Sequence, residues 1–209
     1  MGTRDGATAL VVLRWGDWLY TANAGDCRAV LVRLPPGNGD GNCGQASAMR
    51  LTTDHKPDLP NEKARVEAVG GSVEHLGCWR VRHTSLPVAV ACSRTLGDLD
   101  FKHPLPLLTA DPEVRRVRLD KARGDAIILI ASDGLFDVLC DATAAAVAIR
   151  ELLNARKMAG IIGPDGTGAG CDRTVDERAA QMAARALVRG AIACGSTDNV
   201  TAVVGVLRW

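Results

Sequence analysis

An excess of either charge is the first thing this chain of 209 residues lacks, with 25 Lys and Arg against 24 Asp and Glu and a net charge of +1. That balance gives no electrostatic reason to expect nucleic acid or an anionic membrane as a partner. No uninterrupted apolar segment is long enough to cross a bilayer. The opening Met1-Gly2-Thr3-Arg4-Asp5 has no apolar core, so a signal peptide is not expected, and Gly6 stands where a myristoylation signal needs Ser or Thr. The seven cysteines are odd in number and include no Cys-x-x-Cys pair, which argues against a zinc ribbon and a disulfide framework. Most are expected as small core residues in a reducing compartment, cytosolic or nuclear. Aromatic residues are scarce, and Trp15, Trp18, Trp79 and Trp209 are expected to pack in the core or at its rim.

What is present reads as one domain spanning residues 1–209, long enough to bury a core. The first third is β-rich, with short strands expected at residues 9–14, 18–22 and 28–33, separated by Gly-Asp turns. Residues 35–48 read as an exposed hairpin extension, and a helix is expected over residues 60–69, with Pro60 in its first turn and Gly70 as its stop. Further strands are expected at 88–91, 114–118 and 201–207. Asp141 is expected to cap a helix running to about Lys157, followed by a glycine-rich loop over residues 159–172. A second long helix over residues 173–193 places Val175, Ala179, Met182, Ala186 and Arg189 along one stripe, widened by Ala183 and Leu187. Strands early, helices late and no regular βαβ alternation predict an α+β chain with helices outside largely antiparallel sheets.

The aliphatic run Ile127-Ile128-Leu129-Ile130-Ala131 leads through Ser132 into Asp133-Gly134-Leu135-Phe136-Asp137. So short a run is a buried strand, and a carboxylate at its end needs a rim position and a partner. A helical turn after the strand would set Asp133 and Asp137 on one face. On these residues alone, a helix cap and a metal ligand both remain open. Asp26 and Asp198 share the grammar of an acid beside an apolar strand. If their strands are neighbours, oxygen ligands without His or Cys suit magnesium or manganese rather than zinc. Three unrelated turn aspartates are the competing explanation.

Six blocks occur in one order: Gly25-Asp26-Cys27-Arg28, Asp54-His55-Lys56-Pro57, Gly70-Gly71, Ser93-Arg94-Thr95-Leu96-Gly97-Asp98, Asp133-Gly134-Leu135-Phe136-Asp137 and Ser196-Thr197-Asp198-Asn199-Val200-Thr201. Together they resemble the metal-dependent protein phosphatase 2C family over about residues 5–207. The resemblance implies a four-layer α-β-β-α sandwich of two antiparallel sheets flanked by helices, and hydrolysis of phosphoserine and phosphothreonine by a metal-activated water. It implies Mg2+ or Mn2+ as cofactor, phosphoproteins as substrates and a monomer. Asp133 and Asp198 match carboxylates of the central metal pair, Asp26 an acid of a third position shared with Asp133 and Asp137, and Asn199 a residue that orients Asp198. Ser93, Arg94, Gly97 and Asp98 match a motif near the flap and cleft, where a structural role is expected. Cys27 stands for the usual Ser of its block and Phe136 for a frequent Trp. His55 and His83 are expected to be structural.

The family's acidic first strand, phosphate-gripping Arg and Asp-Gly-His-Gly block have no counterpart here, and Asp5-Gly6 is followed by Ala7-Thr8 rather than His. No catalytic residue is identified in this chain, and the expectation is a truncated, N-terminally incomplete phosphatase with part of a metal site. A non-catalytic docking module on the same scaffold is the alternative. A haloacid-dehalogenase-type phosphatase is excluded, because no Asp-x-Asp-x-Thr/Val nucleophile motif exists. Asn199-Val200-Thr201 is not expected to be glycosylated, and Asp165-Gly166-Thr167-Gly168 is expected to be a surface loop rather than a calcium loop.

Overall fold

Residues 5–34, 47–83, 85–120, 124–161 and 172–208 are described in the structure, a computed structural model. The bulk of the expected 35–48 extension, the Asp165 loop and Trp209 lie outside them. The chain forms two compact units, one of Met1–Cys27 with Thr52–Val117 and one of Arg28–Leu51 with Arg118–Trp209.

The second unit is built on its most apolar strands. Strands β4 (Arg28–Arg33), β5 (Ser47–Arg50), β11 (Ala126–Ala131) and β12 (Ala202–Leu207) form one antiparallel sheet in the order β12-β11-β4-β5. Central β11 pairs on both sides, Ala131 opposite Arg28 on one neighbour and Ala202 on the other. Helices α3 (Asp141–Met158) and α4 (Arg173–Ala193) cover one face, where Val30, Val32, Ile127 and Leu129 meet Ala148, Leu152, Ala183 and Leu187. Each buried aliphatic side chain there contributes roughly 1.5–3 kcal/mol of hydrophobic stabilisation.

The stripe expected on α4 is displaced. Asp176, Ala179, Ala183, Leu187 and Ala191 are buried, whereas Met182 is exposed. Alanines mark no face by size, so the buried one follows Leu187 and an acidic partner for Arg156. The cap on α4 is Asp172, whose carboxylate accepts the Thr174 and Val175 amides. At α3 the expected cap is corrected: Cys140 takes that position, and Asp141 instead binds two arginines.

The first unit holds a ribbon of β1 (Gly6–Ala7) and β9 (Leu96–Gly97), and a sheet β10-β3-β2 of Glu113–Arg118, Trp18–Ala24 and Ala9–Trp15. A third sheet joins β6 (Ser72–Leu76), β7 (Cys78–Arg82) and β8 (Ala89–Val90). Helix α1 (Pro60–Ala68) packs Val66 into a cluster with Val81, Phe101, Leu107 and Leu108. Strands β1, β5, β6, β7 and β9 had no counterpart in the sequence reading, because short half-exposed strands carry little hydrophobic alternation.

Two packing expectations fail among the described residues. Of the five cysteines described, only Cys92 is buried; Cys78, Cys140 and Cys194 are exposed. Trp15 and Trp79 are exposed rather than packed in the core. No helix among the described residues is long and apolar enough to cross a membrane.

Candidate metal-binding turns

In the second unit, β11 ends at Ala131 and the chain turns at Ser132 into the short helix α2 (Asp133–Phe136). Asp133 is therefore the first helical residue rather than the cap. Asp137 follows the helix, its amide donating to the Asp133 carbonyl at 2.8 Å. On the neighbouring strand, residues 196–201 form the turn entering β12. The two turns are zipped together. Ser132 Oγ donates to the Asn199 carbonyl and accepts the Thr201 amide, both at 3.1 Å, and Ser196 Oγ donates to the Gly134 carbonyl at 2.6 Å.

Gly134 is the contact that brings the turns close. A Cβ built there would lie 2.5 Å from the Asn199 carbonyl oxygen and 3.2 Å from Asp198 Cβ. Asp133 and Asp198 are thus held side by side. Asp133 Oδ1 accepts the Gly134 amide at 2.9 Å, and Asp198 Oδ1 the Asn199 amide at 2.6 Å. The bond that fixes Asp198 comes from the Asn199 main chain. Asp137, Asp198 and Asn199 are exposed and Asp133 is half-buried.

Behind α2 sits a charged clamp. Arg28 donates to Asp141 Oδ1 at 2.6 Å with its guanidinium 4.4 Å from the centre of the Phe136 ring, and Arg50 donates to both Asp141 oxygens. Burial pushes the Asp141 carboxyl up, but the bonds from Arg50 and Arg28 outweigh it and hold it below the ordinary carboxylate range.

In the first unit, Asp26 is buried and receives the Lys56 ammonium at 3.2 Å. Its turn is tied down by Asn23, whose amide donates to the Gly25, Cys27 and Thr53 carbonyls. His55 is buried beside it, with Nδ1 2.9 Å from the Gly25 carbonyl and Nε2 3.5 Å from the Glu113 carboxylate. Burial holds the His55 pKa below its ordinary value. His83 is buried edge-on to Phe101.

Ser93 and Arg94 converge on Glu62. The Ser93 hydroxyl donates to its carboxylate at 2.7 Å, Arg94 Nη2 at 2.5 Å and Arg65 Nη2 at 3.1 Å. Burial alone would raise the Glu62 pKa, yet these donors bring it down to about 2. A depressed carboxyl stabilises the fold above its unfolded pKa and loses that contribution as pH falls through the folded value. The shift from 4.5 corresponds to about 3 kcal/mol. Glu62→Gln is therefore expected to lower stability by about that amount at pH 7 in urea unfolding. The difference from wild type should close as pH falls from about 4.5 toward 2; a difference that stays constant across that window rules out Glu62 as its source.

Gly97 lies at φ 77° and Asp98 at φ 47°, the one non-glycine residue with positive φ among those described. A Cβ at Gly6 would overlap the Asp98 carboxylate, which accepts no hydrogen bond from the described residues. A strained, half-exposed carboxylate of this kind is characteristic of functional positions. The motif near the flap and cleft pointed to a structural role for Asp98, because backbone strain leaves no local composition signal.

Among the described residues, no group of three or more His, Cys, Asp or Glu side chains is gathered to hold a metal. The adjacent pair Asp133 and Asp198 is an all-oxygen donor set, which fits a hard divalent cation that keeps much of its water. A cation at Asp26 would have to displace the Lys56 ammonium.

These sheets and the order of the blocks define a chain of α+β type with an oxygen-donor pair at the end of its central strand. The family described as protein phosphatase 2C matches residues 3–200. Protein phosphatase 2C 50 of Oryza sativa subsp. japonica is 36% identical over 206 residues, covering 97% of this chain and 46% of its own. Protein phosphatase 2C 7 of Arabidopsis thaliana is 36% identical, covering 95% and 34%. A solved serine-threonine phosphatase 2C from Toxoplasma gondii superposes with a TM-score of 0.68 at 26% identity, covering 97% of this chain and 58% of that one. The chain belongs to the protein phosphatase 2C family and has its α+β sandwich fold. It spans about half the length of the curated relatives it matches.

Proposed function

We propose that this chain is the body of a metal-dependent protein serine/threonine phosphatase that hydrolyses phosphoserine and phosphothreonine in protein substrates. The zipped turns that set Asp133 beside Asp198 are the observation that carries this reading. Mg2+ or Mn2+ would supply the Lewis acidity that makes a water nucleophilic toward phosphorus. A main-chain amide fixes one oxygen of Asp133 and one of Asp198. Asp137, on the turn after Asp133, adds a further exposed carboxylate. Asp26 is assigned to a weaker third position in competition with Lys56, and Asp98 is a further candidate oxygen donor. Asn199 orients Asp198 through its main chain, while Ser93 and Arg94 hold α1 through Glu62. The small net charge favours protein over nucleic acid as substrate. None of the five described cysteines is in a disulfide, which supports a reducing cytosolic or nuclear setting, and we take the chain to act as a monomer.

The test is Mn2+ binding by calorimetry together with hydrolysis of a phosphothreonine peptide. Asp133→Asn and Asp198→Asn should each lower Mn2+ affinity and turnover by at least about 100-fold while circular dichroism is unchanged. Retention of Mn2+ binding by both variants, or no binding by the unmodified chain, overturns the proposal.

A further inference from the structure

Helix α4 turns three arginines to solvent. Asp176, Ala179, Ala183, Leu187 and Ala191 form its buried face. The opposite face carries Arg178, Arg185 and Arg189, all exposed and spaced seven and four residues apart, so they fall in one line along the helix. Met182, 41% exposed, and Ile192, 59% exposed, lie on the same face. The exposed carboxylate of α4, Glu177, is taken by Arg173 at 2.8 Å, and Asp176 is buried against Arg156 and Arg208. Arg178, Arg185 and Arg189 make no ion pair and no hydrogen bond with the described residues. In a chain whose net charge is only +1, this row is a local concentration of uncompensated positive charge.

The chemistry of the row selects its partner. All three cations are arginine, whose planar fork grips a carboxylate through two parallel bonds and is more weakly hydrated than an ammonium. Along the helix axis, Arg185 and Arg189 are about 6 Å apart and Arg178 and Arg185 about 10 Å. An extended peptide advances about 3.4 Å per residue, so carboxylates two and then three residues apart meet the three forks in register. Met182 and Ile192 offer apolar contact to the side chains between them. A membrane surface or a nucleic-acid duplex presents a broad array of anions, whereas these cations form a single row on one helix. The row also belongs to the same unit as the paired carboxylates, since the chain passes from Ala193 at the end of α4 into the turn that carries Asp198. A segment held on the row therefore raises the effective concentration of whatever is tethered to it at that unit.

We infer that the Arg178-Arg185-Arg189 row of α4 is a docking surface for an extended acidic protein segment. On the phosphatase reading proposed above, that segment belongs to the phosphoprotein substrate and lies apart from its phosphorylated residue.

The probe is an unphosphorylated, fluorescein-labelled peptide of about eight residues, ~27 Å when extended, with glutamates two and then three residues apart. It is titrated with the 209-residue chain and read by fluorescence anisotropy. The peptide should bind, and the triple variant Arg178→Gln, Arg185→Gln, Arg189→Gln should weaken it at least about tenfold, as should Arg185→Glu or replacement of the peptide glutamates by glutamine. Binding should also fall as salt rises from about 50 to 300 mM, because exposed charges are screened. Glutamine keeps the helix propensity of arginine and the sites are exposed, so circular dichroism should not change. A phosphothreonine peptide extended by the same segment should show a lower KM than the peptide alone, a difference that the triple variant loses with kcat unchanged. The inference is overturned by absence of peptide binding, by binding indifferent to the triple variant, or by tighter binding per charge of phosphatidylserine vesicles or duplex DNA. A chain that binds the acidic peptide yet hydrolyses no phosphopeptide would overturn the phosphatase reading and leave the docking surface standing.

Discussion

Arg156→Met should unfold this protein with a loss of about 3 kcal/mol, measured by urea denaturation at pH 7. The Arg156 guanidinium is buried between α3 and α4 and donates to both oxygens of Asp176, at 2.9 and 2.8 Å, and to Asp125 at 2.7 Å. Asp176 holds the Arg156 pKa above its ordinary value against the opposing effect of burial. Removing the cation leaves Asp176, 1% exposed, with the Arg208 guanidinium at 2.9 Å. A buried carboxylate that has lost its two-point partner and keeps only Arg208 is the expensive consequence, whereas the intact pair adds little over apolar residues of equal volume. The double variant Arg156→Met with Asp176→Leu should therefore recover most of the loss. A single variant less than about 1 kcal/mol below wild type, or a double variant no better than the single, contradicts this account.

Gly134→Ala is expected to disturb stability and metal affinity together. The backbone of Gly134 suits any residue, so torsional strain is not the reason. The new methyl would meet the Asn199 carbonyl at 2.5 Å, an overlap that one of the two turns must relieve by moving. Overpacking of this kind destabilises by about 1–3 kcal/mol. Because the same contact holds Asp133 beside Asp198, Mn2+ affinity should fall about tenfold. Gly205→Ala on β12 is the control, since nothing lies within 4 Å of a Cβ there. Its stability should stay within about 0.5 kcal/mol of wild type. Equal behaviour of the two variants would show that the close approach does not position the carboxylates.

The parts of the fold that were legible in sequence are those with dense local signal. The β4 and β11 runs are almost wholly aliphatic, and α4 begins and ends where Asp172 and the residues after Ala193 put it. Asp133, Asp137 and Asp198 could be singled out because acids follow or precede such strands. The buried face of α4 was misjudged because its alanines carry no preference for one side. Long-range partners left no trace in local composition. Arg28 meets Asp141 across 113 positions, Lys56 reaches Asp26 across 30, and Arg94 finds Glu62 across 32. Each pair is selected by three-dimensional neighbourhood, and one sequence holds no periodicity that would announce it.

The strand order β12-β11-β4-β5 also bears on biosynthesis. Strand β4 leaves the ribosome about a hundred residues before β11, its central partner, and further still ahead of β12. At roughly 5–20 residues per second, the apolar side chains of β4 wait on the order of 5–20 s for the strand that covers them. During that interval Val30, Leu31 and Val32, all fully buried in the finished fold, are available to other chains. Yield from rapid expression should therefore depend on chaperone capacity during translation as much as on the stability of the folded protein.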